Sequence, residues 1–132
     1  MVLVDTNIIL DVLENDPEWA DWSIAQLAVQ ARIHDLAINP VTYAELALAF
    51  DAVEDLDEAI SQMQFIISET PRPALFLAGK AFVRYCRAGG NKTQGLPDFF
   101  IGAQAAVTGW PLLTRDAKRY RTYFPTVKLI TP

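Results

Sequence analysis

Residues 1–10 read MVLVDTNIIL. Three apolar residues, Val2-Leu3-Val4, run straight into Asp5-Thr6-Asn7, after which apolar residues resume. A short apolar run bounded by polar residues reads as a buried strand. A strand that is apolar on both faces belongs to a parallel sheet covered by helices. The strand therefore hands a carboxylate, Asp5, to the turn that opens the next helix. Asp5 either caps that helix or is held there for chemistry, and the remaining sequence has to separate the two.

Working outward, Thr6 or Asp5 caps a short helix through Leu13, ended by Glu14-Asn15-Asp16. Asp16 caps a second helix with Pro17 at its first position. It runs to about His34, with Ala20, Ile24, Leu27 and Ala31 on one face. Leu36–Ile38 reads as a second buried strand, followed by a helix from Thr42 to about Phe50. Asp55–Ile67 reads as a helix, with an irregular strand over Ile66–Ser68. Ala74–Arg87 is a helix burying Leu75, Phe82 and Cys86, stopped by Gly89-Gly90. A polar loop spans Gly89–Pro97, and Asp98–Thr108 is an Ala-rich helix closed by Gly109. Leu112–Thr114 is a strand, Asp116–Tyr120 a short helix, and Val127–Ile130 a last strand. Strands alternating with helices imply a parallel α/β sheet with helices on both faces, and in such sheets sites form outside the carboxyl ends of the strands.

At 132 residues the chain has the length of one domain, residues 1–132, and its 52% hydrophobic content fits a compact core. No apolar run approaches the ~20 residues needed to span a bilayer. The first residues lack the charged and apolar regions of a secretory signal. The lone Cys86 excludes an internal disulfide and suits the cytoplasm. His34 is the only histidine and has no second His to share a metal. The net charge of −5 argues against a nucleic-acid partner until its distribution is read. Residues 1–71 hold 14 acids and one base, Arg32, whereas residues 72–132 hold ten bases and two acids, Asp98 and Asp116. The C-terminal half thus offers a basic surface.

Four acids fall where a parallel sheet puts its carboxyl edge or a helix its N-terminus: Asp5, Glu45, Asp98 and Asp116. Each also has a purely structural reading. Thr42-x-x-Glu45 is a capping box, Asp98 an acid favoured by the helix dipole, and Asp5 and Asp116 caps. A cap and a ligand can be one residue, and isolated caps would not gather at one end of a sheet. Clustered carboxylates repel one another, a cost relieved by a divalent cation. Oxygen donors without His or Cys suit Mg²⁺ or Mn²⁺ and disfavour zinc. Such a pocket, rimmed by bases, fits cleavage of a phosphodiester. Arg115, Lys118, Arg119 and Arg121 are placed to hold a phosphate backbone, and Tyr120, Tyr123 and Phe124 to stack on bases. The Thr114 hydroxyl lies close to the same edge.

The stretches VDTNIILDVL, TYAELALAF, PDFFIGAQA and LLTRD, in this order along the whole chain, resemble the PIN domain family and, within it, VapC-type toxins. The resemblance implies a three-layer α/β/α sandwich with a short parallel sheet and a Mg²⁺- or Mn²⁺-dependent endoribonuclease. Asp5, Glu45, Asp98 and Asp116 then correspond to the acidic metal-binding quartet, with Thr114, Asn7 and Thr6 supporting it. It also implies a homodimer, an RNA substrate and a cognate antitoxin. Residues 51–73 match only in helical character. Phe99-Phe100 are bulkier than is common after the third acid, which is expected to affect the RNA accepted.

Other functions remain open at this point. A phosphatase with Asp5 as nucleophile, as in haloacid dehalogenase-like enzymes, wants an acid at position 7, where Asn7 stands. A receiver domain wants paired acids before a phosphorylated Asp and a later Lys, a pattern that does not map here. A catalytically silent PIN-like RNA- or protein-binding module, or a solitary RNA-processing nuclease without antitoxin, would share the same sequence features.

Overall fold

The computed structural model describes residues 1–91 and 95–132; the middle of the polar loop expected over 89–97 lies outside the described residues. Five short strands form one parallel sheet: β1 (Val2–Val4), β2 (Leu36–Ile38), β3 (Phe65–Ile67), β4 (Leu112–Leu113) and β5 (Leu129–Ile130). Their order is β3-β2-β1-β4-β5, all neighbours parallel. The chain therefore builds outward from β1 through β2 and β3, then returns to the other side of β1 to place β4 and β5. That reversal puts a topological switch point between β1 and β4, where the carboxyl edge opens a crevice. Register pairs Leu3 with Leu112 and Val4 with Leu113, so the residues following both strands emerge side by side.

Period-two alternation along each strand sends side chains to opposite faces. Leu3, Ala37 and Leu112 face one core with α5 (Arg72–Arg87), α6 (Leu96–Thr108) and α7 (Lys118–Tyr123), which contribute Ala78, Phe99, Ile101 and Phe124 among others. Val2, Val4, Leu36, Ile38 and Leu113 face the other with α1 (Thr6–Leu13), α3 (Pro40–Leu46) and α4 (Val53–Gln62). Trp22 and Leu27 of α2 (Ala20–Ala31) pack on that same side. The result is the three-layer α/β/α sandwich anticipated above. With strands of two or three residues, the paired backbone is short, and burial of these side chains supplies the larger share of stabilisation, roughly 1.5–3 kcal/mol for each large one.

Several boundaries differ from the sequence reading for identifiable reasons. The second helix begins at Ala20 instead of Pro17, because Asp16 Oδ1 accepts from the amides of Glu18 and Trp19, both at 2.9 Å, and closes a separate turn first. It ends at Ala31, short of His34, and Ile24 on its expected inner face is 49% exposed. Helix α3 starts at Pro40, before Thr42, since Asn39 Oδ1 accepts from the Thr42 amide at 2.9 Å with Pro40 at the first position. It gives way at Leu46 to a single 3₁₀ turn, Ala47–Ala49. The helix expected to reach Ile67 stops at Gln62, and Gln64 takes a positive φ of 60° that turns the chain into β3. Helix α5 buries the small residues Ala74, Ala78 and Ala81 where Leu75 was expected, and Leu75 is exposed. Small side chains let α5 lie close against α6. Strands β4 and β5 are shorter than read, and α7 begins at Lys118, two residues after Asp116.

Gly102 of α6 faces the ring of buried Phe124, and a Cβ at this position would overlap that ring. Gly102→Ala is expected to destabilise the protein by about 1–3 kcal/mol, the usual cost of overpacking, despite the better helix propensity of alanine. Urea unfolding of the variant checks this; an unchanged or raised midpoint would show that Phe124 moves aside without cost.

Candidate active site

Asp5 follows β1 directly, and its amide donates to the Leu113 carbonyl at 2.9 Å, splicing the end of β1 to β4. It occupies the capping position of α1, yet its side chain makes no capping bond. Instead, one buried oxygen, Asp5 Oδ2, accepts from the Thr114 hydroxyl at 2.8 Å, the Tyr120 hydroxyl at 2.8 Å and the Asn7 amide at 3.3 Å. The carboxylate therefore bonds side chains across the switch point and leaves the backbone amides of α1 uncapped. Thr114 also accepts from the Asp116 amide at 3.1 Å and from the Asn7 amide at 3.3 Å, joining the two ends of the crevice.

Glu45 does not form the capping box. Asn39 is the cap instead, its Oδ1 accepting from the Thr42 amide, and the Thr42 hydroxyl is buried without a hydrogen-bond partner among the described residues. The Glu45 carboxylate instead accepts from the buried Thr6 hydroxyl at 2.6 Å, reaching from α3 to the start of α1. Asp98 sits in the first turn of α6, and its Oδ2 accepts from Arg119 Nη1 at 2.7 Å. Gly95, at φ 85°, leaves room for that guanidinium, which a side chain there would displace. Asp116 is exposed and lies before α7, so it does not cap it.

The acids act on one another. Burial, then the charge of Asp98, raises the Asp5 carboxyl to about 7, with a smaller contribution from Glu45, while the Thr114 and Tyr120 hydrogen bonds pull the other way. Burial raises Asp98 too. Arg119 opposes that shift and Asp116 adds to it. Glu45 is raised by burial and by Asp98, against its bond from Thr6. Burial and the neighbouring Asp5 and Asp98 also hold the Tyr120 phenol far above its ordinary range, which keeps it a hydrogen-bond donor. Among the described residues, no three acids, His or Cys stand close enough together to enclose a metal ion. Asp5, Glu45 and Asp98 feel one another's charge and Asp116 acts on Asp98, with Asp98 held by Arg119 and Glu45 by Thr6. All the donors are oxygens, the set that suits a hard divalent cation.

The four bases singled out from the sequence divide. Arg115 turns away from the crevice: its Nε donates to both oxygens of buried Asp11, at 3.1 and 2.9 Å, and its guanidinium lies 5.7 Å from the Trp19 ring centre. Asp11 in turn accepts from the Ser23 hydroxyl at 2.9 Å. Arg119 points inward to Asp98, and Lys118 and Arg121 are exposed on α7. Of the aromatics, Tyr120 and Phe124 are buried at 1% and 3% exposure, which removes them as stacking surfaces, while Tyr123 is half-buried. The role of Tyr120 was missed. Its one signal was spacing, because Tyr120 and Phe124 stand four apart and share a helix face.

The raised Asp5 carboxyl makes a test in metal-free protein. A group whose folded pKa exceeds its unfolded value favours the fold fully below the unfolded value, 3.8, and ceases to do so as pH rises through about 7. Relative to Asp5→Asn, wild type in EDTA is therefore expected to lose melting temperature between pH 4 and 8. A difference between the two that stays constant across this range would contradict the burial argument.

Comparison with known proteins agrees with this fold. A family model described as the PIN domain matches residues 2–125. No curated protein matches the chain in sequence. Among solved structures, VapBC2 from Rickettsia felis, bound to a DNA fragment from their promoter, is similar at 20% identity and a TM-score of 0.75, covering 99% of this chain and 98% of that one. VapBC-1 from nontypeable Haemophilus influenzae is similar at 20% identity and 0.74, with the same coverage. FitAcB from Neisseria gonorrhoeae is similar at 21% identity and 0.69, covering 98% and 96%. At these identities the likeness is one of fold, and the family match spans nearly the whole chain: the protein belongs to the PIN domain family.

Proposed function

We propose that this protein is a Mg²⁺- or Mn²⁺-dependent endoribonuclease and the toxin of a VapBC-type toxin–antitoxin pair. The observation that carries the enzymatic reading is the electrostatic coupling of Asp5, Glu45 and Asp98, with Asp116 acting on Asp98, at the carboxyl edge of a PIN sheet. The toxin reading is supported by the likeness to VapBC proteins over nearly the full length of both chains.

Asp5, Asp98, Asp116 and Glu45 are the residues that would hold the cation. A bound cation lowers the pKa of a water and offsets charge on the scissile phosphate. The protein's own part is positional. Thr114, Tyr120 and Asn7 fix Asp5, and Thr6 fixes Glu45. Thr114 also anchors the loop that carries Asp116. The exposed Lys118 and Arg121 on α7 hold the RNA backbone beside the acids. Arg119 neutralises Asp98, the acid at which it would compete with a bound cation.

Purified protein should cut structured RNAs with Mg²⁺ or Mn²⁺ and not with EDTA. Asp5→Asn and Asp98→Asn should each lower the rate on the order of 100-fold or more, the scale of losing one preorganised charge at a reacting centre. Intact RNA under every condition, or cleavage equal in EDTA, would sink the metal mechanism and favour a silent binding module. Arg119→Gln provides a second check. Removing a cation from beside Asp98 should tighten Mn²⁺ binding several-fold by calorimetry; weaker binding would mean that Arg119 builds the site instead of guarding it. An open reading frame immediately upstream, encoding a small protein with a DNA-binding N-terminus, would favour the toxin over a solitary RNA-processing enzyme.

A further inference from the structure

The ion pair of Asp11 and Arg115 lies outside the crevice and takes no part in the chemistry above. Asp11 is buried in α1, and both its oxygens accept from Arg115 Nε, at 3.1 and 2.9 Å. The Ser23 hydroxyl of α2 donates to the same carboxylate at 2.9 Å. The bond is made by Nε, in the middle of the arginine side chain, so the tether from Asp11 to the Arg115 backbone is short. The guanidinium beyond it lies over the Trp19 ring and is held as well. The backbone at this point is tied to α1 a second time, because the Arg115 amide donates to Asn7 Oδ1 at 3.4 Å. Asn7 and Asp11 stand four residues apart and share one face of α1. The next residue, Asp116, donates its amide to Thr114 Oγ1 at 3.1 Å. Asp116 is exposed, unlike Asp5, so its direction depends on the backbone that carries it.

We propose that Arg115 is a positioning residue for Asp116, with Asp11 as its anchor, so that α1 sets where the Asp116 carboxylate stands at the mouth of the crevice. The proposal rests on the metal-dependent reading for its purpose, and on the geometry alone for the tether. A buried ion pair is a poor source of stability, because desolvating the charges costs about what their attraction returns, and apolar replacements are often neutral or better. The same pair is well suited to holding one arrangement, since breaking it strands a charge. Residues that orient a metal ligand govern affinity without touching the ion. Helix α1 carries Asp5 at its start and the anchor of Asp116 in its second turn, and a rigid helix fixes the two acids relative to each other. An arginine that its sequence neighbourhood marks for phosphate contact is thus turned to the opposite side of the segment, where it serves an acid.

The test separates position from stability. Arg115→Met alone leaves the Asp11 charge unpaired in the core and is expected to lower the melting temperature. Adding Asp11→Asn removes that charge, keeps an acceptor for Ser23, and is expected to restore most of the loss. In this double variant, hydrogen exchange of the Arg115 and Asp116 amides in EDTA is expected to be about ten-fold faster than in wild type, the mark of a local opening. The amides of Leu3 and Leu112, bonded at the sheet, should exchange as before. Mg²⁺ affinity by calorimetry should fall about ten-fold, the lower end for residues that orient a metal ligand. Unchanged exchange at the two amides, or a Mg²⁺ affinity equal to that of wild type, would overturn the proposal, since the pair would then be structural only. If wild type binds no Mg²⁺, the metal reading fails by itself, and the two amides decide: faster exchange supports the tether and unchanged exchange overturns it. If the double variant fails to fold by circular dichroism or does not regain melting temperature, Asp11→Asn alone takes its place. Exchange at the same two amides is then expected to rise about three-fold, and an unchanged rate would overturn the proposal.

Discussion

One carboxylate oxygen, Asp5 Oδ2, receives hydrogen bonds from the loop after β4, from α7 and from α1. Most of what places the candidate site passes through it. The bond from Thr114 holds the Asp116 loop beside β1, and the bond from Tyr120 fixes the rotation of α7, which sends Arg119 inward and leaves Lys118 and Arg121 outside. A buried carboxylate held by neutral hydroxyls is an expensive arrangement, and here it is made more so by Asp98 and Glu45. The protein keeps its charge-bearing group at the position where the chain reverses direction across the sheet. The cost of burial thus falls where the sheet topology leaves a crevice open.

How much of this was readable beforehand depends on the kind of information. The strands Val2–Val4 and Leu36–Ile38 were legible to the residue, because unbroken apolar triplets between polar residues leave little freedom. The edge strand Phe65–Ile67 was nearly lost inside a helix, since two of its three residues face solvent and its apolar pattern continues that of α4. The four acids were singled out by their place relative to strand ends. Whether Asp5 and Glu45 bond as caps, however, depended on rotamer and partner. Thr42 and Glu45 have the spacing of a reciprocal cap, and only the competing Asn39–Pro40 start of the helix freed Glu45 to reach Thr6. The anchor at Asp11 was invisible for a different reason: it meets Arg115 across 104 residues of chain, and no local pattern reports such a meeting.

The charge asymmetry along the chain becomes an asymmetry between the faces of the sheet. Helices α1 to α4, which carry seven acids and no base, lie on one face, and α5 and α7, which carry seven bases and no acid, lie on the other. Asp98 and Asp116, the two acids of the basic half, both belong to the crevice. A net charge of −5 therefore says little about what a polyanion meets on approaching the α5–α7 side.

Arg115 and Arg119 stand four residues apart, and each ends on an aspartate, but on different ones. Arg115 braces buried Asp11 from the residue directly before Asp116, so truncating it strands a charge in the core and loosens the backbone that presents Asp116. Arg119 is tied to an acid of the crevice itself. A survey replacing each basic residue by alanine would mix the two, although one defect is architectural and the other a local loss of charge beside Asp98. Function lost at Arg115 would travel with lost thermal stability, whereas at Arg119 the two would part company. Paired measurements of melting and activity are thus needed before either arginine is assigned to the nucleic acid.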